Sequence, residues 1–119
     1  MNMKSIAFKA VGEPSEVLYQ TETEVPVATA GDALVRIVAR PIQPADLAFI
    51  RGRYRITPVF PQPAGLEALG VILTAPEASG LYPGQRVALR SPGTWAELVV
   101  VPVERLIPVP DGIADDDAC

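Results

Sequence analysis

Thirteen prolines and nine glycines are scattered along a chain of 119 residues and cut it into short apolar segments. Isolated helices need roughly 12–15 residues to be even marginally stable, so this punctuation favours many short strands with helix as the minority state. Lys4 to Val11 and Val17 to Thr23 read as two strands around the Gly12-Glu13-Pro14-Ser15 turn, an opening hairpin. From Ala33 to Ala39, Ala33, Val35, Ile37 and Ala39 fall on one face and the intervening residues on the other, the period of two that marks a strand.

Between Gln43 and Gly52 the pattern changes. Pro44 suits the first position of a helix, Leu47 and Ile50 supply a small apolar face, and Gly52 ends it. Arg53 to Ala64 holds three prolines and reads as an extended loop, long enough to be functional; Gly65 to Thr74 resumes as an apolar strand. Pro83-Gly84 turns the chain into a strand over Arg86 to Arg90, and Thr94 to Val101 forms another. Leu106 to Gly112 is a proline-stiffened exit, after which Asp115, Asp116 and Asp117 supply negative charge at the start of a new helix. One compact domain over residues 1–119 is expected, with too little chain for a second core.

Nearly half of the residues are hydrophobic and one fifth are charged, a balance that favours folding over disorder. The net charge of -4 argues against nucleic acid as a partner. No segment is long enough to span a membrane, and Met1 to Ala10, broken by Lys4 and Lys9, reads as a strand and not a secretory signal. The single cysteine, Cys119, offers no internal disulfide, so the cytoplasm is the expected compartment. The chain has no histidine, which removes the commonest metal ligand and the commonest base near neutral pH.

Five groups of residues are candidates for chemistry. Tyr54 carries a phenol that stays protonated at neutral pH and can donate a hydrogen bond; a half-buried loop tyrosine that merely packs its ring is the bland alternative. Gln43 has an amide able to donate and accept, and Asp46 in the first helical turn suits the helix dipole without any ligand. Glu67 enters an otherwise apolar strand and needs a partner, such as a nearby arginine. Arg51, Arg53 and Arg55 alternate around Tyr54, so an extended backbone would put the three on one face, either as a phosphate-attracting rim or as a solvated charged loop. Trp95 serves a pocket or the core equally well.

In order, Gln43-Pro44-Ala45-Asp46, Gly52-Arg53-Tyr54, Gly65-Leu66-Glu67, Pro83 to Val87 and Gly93-Thr94-Trp95 resemble the N-terminal, GroES-like catalytic domain of medium-chain dehydrogenases/reductases. The likeness is to the zinc-free branch, the 2-enoyl thioester reductases and related quinone oxidoreductases. It implies a mainly β fold, a GroES-like, partly open β-barrel with short helices, whose nucleotide-binding Rossmann half is absent from these residues. No Gly-x-Gly-x-x-Gly follows a strand anywhere in the chain. Gln43 falls where zinc-dependent members carry a cysteine ligand and Leu66 where they carry a histidine, so no metal is expected.

The resemblance further implies NADPH as cofactor, bound mainly by the absent half, with Tyr54 catalytic and Gln43 at the cofactor. Trp95 and Glu67 would shape the substrate pocket. The implied substrate is an enoyl thioester, carried on coenzyme A or an acyl carrier, or a quinone, and the parent would be a homodimer. The isolated fragment is expected to be inactive. A stand-alone GroES-like binding module is the alternative of another class, for which the arginine- and proline-rich Arg51 to Pro63 segment is ill suited.

Overall fold

A computed structural model describes residues 1–119, arranged as two antiparallel sheets with three short helices. The smaller sheet has the order β2-β1-β4, from β1 (Asn2–Phe8), β2 (Tyr19–Glu24) and β4 (Gln62–Pro63). β1 and β2 form the expected hairpin, in register from Asn2 opposite Glu24 to Ala7 opposite Tyr19. Its connection is more than a turn, because Pro14 at the first helical position starts the single-turn helix α1 (Pro14–Val17).

The larger sheet has the order β7-β3-β5-β6-β8. Its strands are β3 (Asp32–Ala39), β5 (Glu67–Thr74), β6 (Arg86–Arg90), β7 (Leu98–Pro102) and β8 (Leu106–Pro108). The alternation read in the third strand is its packing: Ala33, Val35 and Ile37 are buried with Ala68, Ile72, Val87, Leu89, Val99, Val101 and Leu106 in the main core. The proline-stiffened exit proves to be a strand in part, since β8 pairs with β6 from Val87 opposite Pro108 to Leu89 opposite Leu106. Proline is tolerated there because β8 is an edge strand.

The two sheets do not close into a barrel. They are joined by a lone bridge between Ser5 and Ala96, with Ile6 N–H donating to Trp95 O at 2.9 Å and Glu97 N–H to Lys4 O at 3.2 Å. The Arg40 guanidinium reinforces the seam by donating to the carbonyl oxygens of Thr94 at 3.0 Å and Ala96 at 3.2 Å. Helix α2 (Pro44–Ile50) lies beside this seam, and α3 (Asp115–Ala118) ends the chain, held by Arg86, which donates to Asp115 Oδ1 at 2.7 Å. A second core of Phe8, Phe49, Ile50, Ala64 and Leu66 fills the space between α2 and the smaller sheet.

Candidate active site

The start of α2, the loop after it, the start of β5 and the end of β6 surround a cleft of about 750 Å³. Its position follows from the second core. Phe49 and Ile50, buried on one face of α2, pin the helix against Phe8 and Leu66, leaving the first turn and Tyr54 at the rim. Phe8 meets Phe49 edge to face with ring centroids 5.7 Å apart, and Tyr54 meets Phe49 at 6.4 Å in the same manner. Arg55 lies over the Tyr54 ring, 5.4 Å from its centroid. Tyr54 lines the cleft with its ring braced by Phe49 and Arg55.

Gln43 is the residue before Pro44, extended at φ -137° and ψ 163°, and it begins the helix. Its backbone N–H donates to Asp46 Oδ2 at 2.9 Å, and its side-chain Nε2 donates to Glu67 Oε2. Asp46 is 1% exposed, so its place in the first turn is structural: it satisfies a helix-end donor from inside the core. Burial pushes the Asp46 carboxyl above its ordinary value, against the hydrogen bond from the Gln43 backbone, and the nearby Glu67 charge adds to the rise. Glu67 goes the other way, held below the ordinary carboxylate range by the Gln43 amide and by Arg90, whose Nη2 is 3.3 Å from Oε1.

Of the residues singled out in the sequence, Gln43, Tyr54 and Glu67 line this one cleft. Trp95 is not among the lining side chains; it packs against the second core and borders a smaller hollow on the seam with Ser5 and Arg40. Its Nε1 is buried without a hydrogen-bond partner, as is the Thr94 hydroxyl. The three arginines around Tyr54 do not share a face. Arg51 still has helical φ and ψ and pairs with Glu13 at 3.3 Å, and Gly52 then reverses the chain at φ +76°. Only Arg55 of the three lines the cleft, where Arg90 and Arg105 join it.

The partner of Glu67 is an arginine, but it comes from the neighbouring strand and not from that loop. Glu67 stands directly opposite Arg90 in the β5–β6 ladder, an opposite-charge cross-strand pair. That pairing is the signal by which the two strands, both legible in sequence, could have revealed it. No group of three or more cysteine, aspartate or glutamate side chains is arranged to hold a metal ion.

Residues 29–111 match the alcohol dehydrogenase GroES-like domain, and the chain belongs to that family, within the medium-chain dehydrogenase/reductase superfamily. Among its relatives is the mitochondrial enoyl-[acyl-carrier-protein] reductase of Rattus norvegicus, 33% identical over 115 residues, 94% of this chain and 31% of the rat protein. A quinone oxidoreductase structure from Pseudomonas syringae pv. tomato superposes with a TM-score of 0.88 at 28% identity, covering 98% of this chain and 36% of that one. A structure from Bacillus thuringiensis described as an NADPH:quinone reductase gives a TM-score of 0.88 at 29% identity, covering 99% of this chain and 36% of that one. The chain thus spans about a third of the length of these relatives.

Proposed function

We propose that these residues form the substrate-side wall of the active-site cleft in an NADPH-dependent, zinc-independent oxidoreductase that reduces the C=C bond of 2-enoyl thioesters. The observation that carries this reading is the convergence of Tyr54, Gln43 and Glu67 on one cleft of about 750 Å³, within the range of small-molecule sites. The thioester substrate is supported by the enoyl reductase relatives.

The cleft's size and its amide-bearing wall fit the nicotinamide end of a cofactor, with Gln43 as the residue to hold it, while a dinucleotide's phosphates need a glycine-rich loop that lies outside these residues. Bound NADPH supplies the hydride. The chain's own contribution is electrostatic. Reduction at the β-carbon leaves negative charge on the thioester carbonyl oxygen, and a phenol positioned there donates a hydrogen bond to that charge as it develops. Gln43 and Leu66 occupy the places of metal ligands with an amide and a hydrocarbon, neither of which replaces thiolate or imidazole toward zinc. Arg55 and Arg105 at the cleft suit the phosphates of a coenzyme A or acyl-carrier thioester, because arginine pairs well with phosphate. The parent would be a homodimeric, cytoplasmic enzyme, although several relatives carry mitochondrial names.

In the full-length parent, Tyr54→Phe should lower crotonyl-thioester reduction by about 100-fold, the scale of losing one such donor. The isolated chain should oxidise no NADPH. Undiminished turnover in Tyr54→Phe would remove the phenol from the mechanism. Quinone reduction is the second reading, favoured by the quinone oxidoreductase structures; turnover of quinones but not of crotonyl-thioesters by the parent would select it. A discrete ring of about seven subunits, seen by size determination, would instead support a GroES-like module, although fold analogy is by itself a poor guide to function.

A further inference from the structure

Gln43 reaches the cleft with an amide whose two ends are nearly the same size and opposite in hydrogen-bonding character. Which end faces a ligand is therefore a matter of what holds the other. An ionised carboxylate only accepts, so Glu67 can hold the Gln43 side chain through Nε2 alone, as it does. Glu67 in turn is held on its other oxygen by Arg90, directly across the β5–β6 ladder. We infer that Arg90 is a positioning residue: by tethering the Glu67 carboxylate it fixes the Gln43 amide in one orientation at the cleft wall.

The arrangement is a single line of contacts from β6 through its ladder neighbour β5 to the start of α2. The charged groups around Glu67 are Arg90 on the same sheet and Asp46 from α2, with Arg55, Glu104 and Arg105 lining the rest of the cleft. Arg90 is 71% exposed, so the ion pair adds little to stability and can be removed without unfolding the chain. Its effect must then be sought in orientation. Neutralising Glu67 weakens its hold on Nε2 and leaves the amide kept mainly by its other end, which accepts from the Asp46 backbone N–H in the first helical turn. That the fixed amide meets a cofactor or substrate rests on the reductase reading above; the tether itself does not.

Two measurements separate these levels. On the 119-residue chain, side-chain amide resonances of Gln43 and the carboxyl carbon of Glu67 are followed by NMR across the acid range. In Arg90→Ala, Glu67 should titrate at higher pH and the Gln43 amide signals should move toward those of a free amide; Arg90→Lys should restore part of both. Glu67→Gln should remove the Glu67 step from the pH dependence of the Gln43 signals and leave only the response to Asp46. Unchanged Glu67 titration and unchanged Gln43 signals in Arg90→Ala would overturn the tether. In the full-length parent, Arg90→Ala should lower kcat/KM severalfold through KM for the ligand that meets Gln43, with partial rescue by Arg90→Lys. NMR changes without any kinetic change would overturn the positioning role. A wild-type parent with no reductase activity would count against the proposed reaction, while the NMR arm would still decide the tether.

Discussion

Replacing Gly65 with alanine should cost this fold more than a backbone preference explains. Gly65 is at φ +93°, where a side chain adds about 1–2 kcal/mol of strain. The added Cβ would also fall 2.3 Å from Thr94 Oγ1 and 2.3 Å from Trp95 Cδ1. Neither neighbour can retreat, because Trp95 N–H donates to Ala64 O at 2.8 Å and Gly93 N–H to Gly65 O at 2.9 Å, tying the two segments together on either side of the clash. Forcing a methyl into such packing adds about 1–3 kcal/mol. The total of about 2–5 kcal/mol corresponds to a fall in Tm of about 8–20 °C for a domain of this size. Gly84 supplies the control: its φ is +89°, yet an added Cβ would have no atom within 4 Å, so Gly84→Ala should lose only the conformational part. Urea unfolding of both variants at 25 °C, compared at unchanged m, measures the difference. Equal losses at the two positions would refute the claim that Thr94 and Trp95 are packed too rigidly against Gly65 to admit a methyl group.

Phe49 has no exposed surface and bridges Phe8 to Tyr54, so Phe49→Ala should cost about 3–5 kcal/mol in thermal or urea unfolding and shift the near-ultraviolet signal of Tyr54. The two carboxyls beside Gln43 should impose opposite pH slopes on stability. Glu67, lowered in the folded state, stabilises fully above its unfolded value of about 4.3 and loses that contribution as pH falls through the lower folded value. Asp46, raised in the folded state, carries no penalty below its unfolded value of about 3.9 and an increasing one as pH rises toward the higher folded value. Glu67→Gln should therefore flatten the rise of stability with pH on the acid side, and Asp46→Asn should remove a fall just above it. Urea midpoints measured from pH 3 to 7 check both, and parallel curves for the two variants would contradict the assignments.

Most of the strand pattern was legible in the chain because the physics that selects it is local. Alternation in Ala33 to Ile37, Pro44 at a helix start, and the glycine that closes that helix each act within a few residues. The same locality explains the departures. Leu106 to Pro108 became a strand because β6 offered an unpaired edge, and Arg51, still at the end of α2 before Gly52 reverses the chain, came within reach of Glu13 from the first hairpin connection. Neither partner can be seen from the residues around them.

The candidate site divides in the same way. Residue types alone determined that this chain has a phenol, an amide and a carboxylate at family-like spacing, and that it lacks the histidine and internal cysteines of a zinc centre. Only the tertiary structure decided that Gln43, Tyr54 and Glu67 share a cleft while Trp95 borders another hollow, and that Arg90 is the group holding Glu67. Composition and spacing act along the backbone, whereas burial and charge pairing depend on which strand lies beside which. That choice is made by the two cores and the ladder between β5 and β6, through contacts among residues far apart in the chain.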